Sequence, residues 1–224
     1  MNILLQNDLV YNMNYKKTEI DYDDLPFKDF LTSRYSMTVR VNAQKTYDVA
    51  KENNVSFFNL TLACMLEAIN EIREFRLRII GRQVVEYEKI TGVCPIMQDD
   101  YSIREIEVLP VSEFDDFFKW NEYVENKKEN ILENQFLVEP MERDSKGIAN
   151  FSCIPWLNFD SMTNIIAESN QIMPVVAWGK LTDGKISVSL TASHVFIFGY
   201  HFKLFYDALE KYLENPEMII NCTF

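Results

Sequence analysis

Apolar and polar residues alternate most regularly in the last third of the chain. Ile186, Val188, Leu190 and Ala192 take one parity, and Ser187, Ser189, Thr191 and Ser193 the other. That two-residue period is the mark of a half-buried strand. His194 continues the apolar parity, so the pattern sends its ring towards the covered face. Gly199 reads as the turn that follows. Leu204, Phe205, Ala208, Leu209 and Tyr212 then form one stripe of an amphipathic helix, stopped by Asn215-Pro216. Upstream, residues 174–181 form a second apolar run. Thr182-Asp183-Gly184 lies between the two, and its Asp-Gly pair is a strong hairpin signal.

Earlier segments follow the same two periods. Residues 36–42 predict a strand, and Asn42 is placed to cap a helix over 43–52 that Asn53-Asn54 ends. Residues 57–75 are apolar on most faces, which predicts a helix buried between layers. Residues 76–90 read as a hairpin around Gly81, and 103–109 as a strand of alternating charge. Ser112-x-x-Asp115 has the form of a capping box for a helix reaching about Asn134. Residues 148–154 form a short strand. Asp21–Asp24 is an acidic run, by default a solvated face, before a helical turn opened by Pro26 and carrying Phe27 and Phe30. Residues 1–20 show no period, and Met13 is an alternative start that makes 1–12 an extension. The elements predict an α/β fold, a mixed sheet covered mainly on one face by helices. The open face would be covered by another subunit.

The chain has 224 residues, 47% of them hydrophobic, enough for one substantial core; residues 13–224 are expected to be one domain. A net charge of −12 argues against sequence-independent binding of nucleic acid or an anionic membrane. The cysteines (Cys64, Cys94, Cys153, Cys222) lack metal-ligand spacing and read as reduced core thiols. With no secretory leader or apolar run of spanning length, a soluble cytoplasmic protein is expected.

His194 and His201 are the only histidines. Seven residues apart across a turn, they do not share a helix face as two zinc ligands would, so no metal site is expected. Taken alone, a histidine at apolar parity is most often a satisfied core group. Ser152 is by default a buried hydroxyl with a backbone partner. Trp120, Trp156 and Trp178 are by default core, and Lys180 a surface residue at a strand end. No Gly-rich phosphate loop, nucleophile elbow or Cys/His dyad is present.

Five segments in register change that balance. Residues 150–161, NFSCIPWLNFDS, resemble the N-x-S-A-x-P-W-x-x-F-x-S segment of chloramphenicol acetyltransferases. Residues 193–201, SHVFIFGYH, resemble their H-H-x-x-x-D-G-F-H signature, echoed in dihydrolipoyl acyltransferases. PVVAWGK at 174–180 is similar to the strand before their hairpin, lysine included. Glu74-Phe75-Arg76 and Met13-Asn14-Tyr15 fit two further family positions. The resemblance implies a two-layer sandwich of the CoA-dependent acyltransferase type, assembled as a homotrimer with sites at subunit interfaces. It also implies direct transfer from acetyl-CoA to an alcohol, chloramphenicol or a related compound, with no metal and no acyl-enzyme. His194 would be the general base and Ser152 the donor to the oxyanion. Lys180 would contact the coenzyme, and Phe27, Phe30 and Asn150 the acceptor.

The resemblance also has gaps. The signature aspartate is Phe198, and the arginine that pairs with it falls near Asp23 or Asp24. The first histidine of the doublet is Ser193, a water-holding threonine is Ala177, and a lysine near the coenzyme is Ser56. Losing both partners of an ion pair strands no charge. The alternative expectation is a catalytically impaired homotrimer that binds CoA or a small aromatic ligand.

Overall fold

The computed structural model describes residues 14–131, 137–165, 167–169 and 171–224. The proposed extension over 1–12, and Asn134 as a helix end, lie outside them. Six strands form the main sheet: β2 (Arg34–Asn42), β5 (Thr91–Met97), β6 (Ile103–Val108), β7 (Ile148–Ile154), β8 (Val175–Gly179) and β9 (Lys185–Ser193). Their order is β2-β9-β8-β7-β5-β6. The β5–β7 and β7–β8 pairs are parallel and the others antiparallel, so the sheet is mixed as expected. A smaller sheet pairs β1 (Tyr15–Lys17), β4 (Gln83–Tyr87) and β3 (Leu77–Ile80), and the β3–β4 hairpin turns at Gly81.

One face of the main sheet is buried under α2 (Phe57–Glu71) and α4 (Gly199–Glu214), with α1 (Gln44–Glu52) beside them. Ile186, Val188, Leu190 and Ala192 of β9, Val176 and Trp178 of β8, and Phe151 of β7 all enter this core. Residues 59–70 of α2 are buried on every face, which is why no amphipathic stripe is legible there. Ser187, Ser189 and Thr191 leave the sheet on the other side. There a non-regular segment covers them: Ser187 Oγ donates to the Phe159 carbonyl, Ser189 Oγ to Met162 (2.9 Å), and Asn164 Nδ2 to Thr191 Oγ1 (2.8 Å).

Several local expectations are corrected. Asn42 ends β2 and donates to Glu214 instead of capping α1. The helix after Ser112 starts later, as α3 (Phe117–Glu129), and its cap is Asp116, whose carboxylate accepts the Phe118 N–H at 2.7 Å. The buried helix stops at Glu71, followed by a 3₁₀ turn over Arg73–Arg76. Pro26 opens turns and no helix. Trp120 and Trp178 are core, but Trp156 is 61% exposed. Gly199 is the first residue of α4, has no positive φ, and a Cβ there would meet only Met37 Cε at 4.0 Å. The hairpin turn does need its residues: Asp183 and Gly184 have φ of 50° and 75°, as the Asp-Gly signal requires.

Candidate active site

β7 carries Asn150 and Ser152 two residues apart, so both side chains leave the sheet on the face away from α2 and α4. They line a cavity of about 530 Å³ with Ile103, Met162, Met173 and Val175 as apolar walls and Glu105 and Arg143 as charged ones. The backbone partner expected for Ser152 is not found: its hydroxyl makes no hydrogen bond to any described residue. Ala177 pairs with Ser152 in the adjacent strand and puts only a methyl group beside it.

Arg143 and Glu105 organise the cavity wall, and neither was singled out from the sequence. Arg143 Nη2 donates to both Glu105 oxygens at 2.7 Å, and the pair is almost wholly buried. Arg143 Nη1 donates to Asn150 Oδ1 at 2.7 Å and Nε to the Val138 carbonyl at 3.3 Å. A glutamate in an alternating strand reads as solvent-facing, and its partner is 38 residues away; nothing local links them.

His194 follows β9, held by its N–H donating to the Ser33 carbonyl at 2.7 Å. Three aromatic rings enclose its imidazole: Phe27 at 4.5 Å between centroids, Tyr35 stacked at 4.7 Å, and Phe198 edge-on at 4.9 Å. Phe27 holds φ at 58°, an uncommon conformation for a bulky residue, and packs on Phe30 at 5.1 Å. Phe30 is itself mostly exposed. The Tyr35 hydroxyl donates to the Ile197 carbonyl at 3.0 Å and so ties down the turn bearing His194; it too was missed from sequence. His194 Nδ1 is buried and has no partner among the described residues. Phe198, in the place of the motif aspartate, offers it no acceptor.

His201 has a structural task. Its Nδ1 accepts the Phe198 N–H at 2.9 Å, capping the first turn of α4, and its Nε2 lies 3.9 Å from Glu74 Oε2. Lys180 is exposed just past β8; its N–H bonds to the Leu157 carbonyl at 2.8 Å and its ammonium has no partner among the described residues. Asp23 pairs with Arg82 at the surface. Burial pushes the thiols of Cys64, Cys94 and Cys222 up, and that of Cys153 to about 12; Cys64 and Cys94 are core as expected, whereas Cys153 and Cys222 are only partly buried.

The fold keeps the two central candidates apart within one chain. Ser152 pairs with Ala177, which pairs with Ser189, and His194 lies five positions further along β9. Standard strand geometry puts about 16 Å along the strand and about 10 Å across it between them. Their side chains also leave opposite faces: Ser152 lies on the Ala177 and Ser189 side, while His194 stacks on Tyr35, which packs against the helix-side core.

A family model for chloramphenicol acetyltransferase matches residues 13–210. The chain belongs to the chloramphenicol acetyltransferase family. A chloramphenicol acetyltransferase of Bacillus pumilus is 21% identical over 201 residues, covering 84% of this chain and 86% of the relative. A solved chloramphenicol acetyltransferase structure is 27% identical, with a TM-score of 0.77 over 88% of this chain and all of the other. A dihydrolipoamide acetyltransferase of Azotobacter vinelandii shares the fold, with a TM-score of 0.59 at 13% identity over 88% of this chain and 85% of the other. The fold is thus that of the family and of its acyltransferase neighbours. Among the described residues, no helix is long and apolar enough to cross a membrane, and no group of three His, Cys, Asp or Glu side chains could hold a metal.

Proposed function

We propose that this family member transfers an acetyl group from acetyl-CoA to a hydroxyl of a small molecule, chloramphenicol or a related alcohol. The observation that carries the reading is the unpartnered Ser152 hydroxyl in its cavity, with His194 on the far side of the same sheet. The pair meets only if a second copy brings its His194 to this copy's Ser152. A homotrimer with sites at subunit interfaces supplies that arrangement, built from residues 13–224 with 1–12 as an extension.

His194 Nε2, the ring nitrogen not sealed in the protein, takes the proton of the acceptor hydroxyl as its oxygen attacks the thioester. Ser152 Oγ donates to the oxyanion, a contact contributing about 3 kcal/mol in comparable sites. Acyl transfer is direct, and the CoA thiolate leaves with a proton. Phe27 and Phe30 flank the base, and Asn150 faces the acceptor from the other wall. Lys180, exposed and without a side-chain partner among the described residues of a chain of net charge −12, is a fitting contact for an anionic phosphate of the coenzyme. Cytoplasmic acetyl-CoA suits this role, and antibiotic resistance would follow only if chloramphenicol is the acceptor.

One observation favours a second reading, an impaired homotrimer that binds CoA or an aromatic ligand. A base at Nε2 needs its proton on Nδ1, and a buried N–H without an acceptor costs about 1–3 kcal/mol. The two readings separate by thiol release from acetyl-CoA with chloramphenicol. Release by the wild type that disappears in His194→Ala supports transfer; equal release from both sinks the catalytic assignment. A sedimentation mass near one chain refutes the interface site.

A further inference from the structure

We infer that Tyr35 is a positioning residue for His194: its hydroxyl fastens the turn over 194–198 and so sets the aim of the imidazole. The inference rests on the proposed transfer and concerns how the base is held. In the pairing of β2 with β9, Arg34 lies opposite Ser193 and Tyr35 opposite Ala192. β9 ends at Ser193, so Ser33 takes the next place in the ladder, and its carbonyl accepts the His194 N–H at 2.7 Å. Ser33 Oγ also lies 2.7 Å from Ser193 Oγ, which accepts the Val195 N–H at 3.3 Å. These bonds hold the backbone where the chain enters the turn. They leave its far end, and the ring of His194, to be held by something else.

Tyr35 reaches both. It shares the helix side of the sheet with Ala192, and its ring is wedged between the His194 imidazole (4.7 Å, 29° between planes) and Phe202 of α4 (4.9 Å). Held there, its hydroxyl donates to the Ile197 carbonyl at 3.0 Å. Ile197 is 3% exposed, and no other donor among the described residues bonds to that carbonyl. Burial raises the Tyr35 hydroxyl above its ordinary 10, so it remains a donor at neutral pH. A base is commonly oriented by a third group on its other ring nitrogen. His194 Nδ1 has no such partner among the described residues. The direction of the imidazole therefore depends on stacking and on the backbone of its own turn. Stacking alone tolerates sliding and rotation of the ring; the bond from Tyr35 to Ile197 is what ties that turn to β2.

The test is Tyr35→Phe, which keeps the ring and removes only the hydroxyl. With acetyl-CoA and chloramphenicol, kcat is expected to fall by about tenfold while KM for both substrates stays within about twofold. A lower melting temperature with kcat unchanged would make the hydroxyl merely structural and overturn the proposal. A change confined to KM would overturn it too. Imidazole proton signals in NMR separate the proposal from the reading beneath it, since His194 and His201 are the only histidines and His194→Ala assigns them. In Tyr35→Phe the His194 signals should shift or broaden as the ring loses its fixed aim. If the wild type releases no thiol and the signals still respond in this way, transfer fails and the Tyr35 assignment stands. Unchanged His194 signals overturn it.

Discussion

Replacing Glu105 with alanine is the sharpest test of the charged cavity wall. The substitution removes two 2.7 Å bonds from a guanidinium whose side chain is only 4% exposed. It also removes the acceptor of the Leu137 N–H at 3.2 Å. Arg143 keeps Asn150 Oδ1 and the Val138 carbonyl among its remaining partners. Removing one member of a buried pair costs about 3–5 kcal/mol. At about 2–4 °C per kcal/mol for a chain of this size, the melting temperature should fall by on the order of 10 °C. The assay is urea and thermal unfolding at one fixed protein concentration, because assembly makes apparent stability concentration-dependent. A double variant, Glu105→Leu with Arg143→Met, should recover at least half of the loss, since it removes the charge and its partner together. A loss below about 1 kcal/mol in Glu105→Ala would refute the reasoning, because it would mean that the pair is solvated like a surface bridge.

Two further outcomes follow from the packing. Gly147→Ala would force a side chain into a left-handed site (φ 65°) and set its Cβ 2.6 Å from the Tyr87 ring; about 3 kcal/mol of destabilisation is expected in urea unfolding, and a loss under about 1 kcal/mol contradicts the contact. Burial raises the Glu67 carboxyl above its ordinary 4.5, although Glu67 accepts the Ser112 N–H. The folded chain therefore holds that proton more tightly, so stability from neutral Glu67 is full below 4.5 and is lost as pH rises through the raised value. Glu67→Gln should remove that decline and melt higher at neutral pH; melting curves with the same slope in both proteins would disprove the burial argument.

Parity in 186–194 was enough to place β9, its hairpin and the side from which His194 departs, because a half-buried strand has to alternate. The bounds of β7 were legible for the same reason. β5 was not, since Thr91–Met97 mixes glycine, proline and a buried threonine and shows no clean period. Helix starts slipped where a second polar residue stood within reach: Asp116 won the cap over Ser112, and Asn42 was drawn into β2 by pairing with Lys185. Motif order named His194, Ser152 and Asn150, because the chemistry of a site constrains residue type at fixed spacing.

What the sequence by itself determined was therefore the parity of the strands, the family, and which residues are the candidates for the reacting groups. Only the tertiary structure decided how they stand: that the Ser152 hydroxyl has no partner among the described residues, that His194 sits among Phe27, Tyr35 and Phe198, and that the two leave opposite faces of one sheet. It alone brought Arg143 to Glu105 and Asn150. The reason is physical: alternation is a local property of a strand against its core, whereas a buried ion pair is set by which strands become neighbours. Sheet order, not sequence distance, puts β6 within reach of the segment that precedes β7.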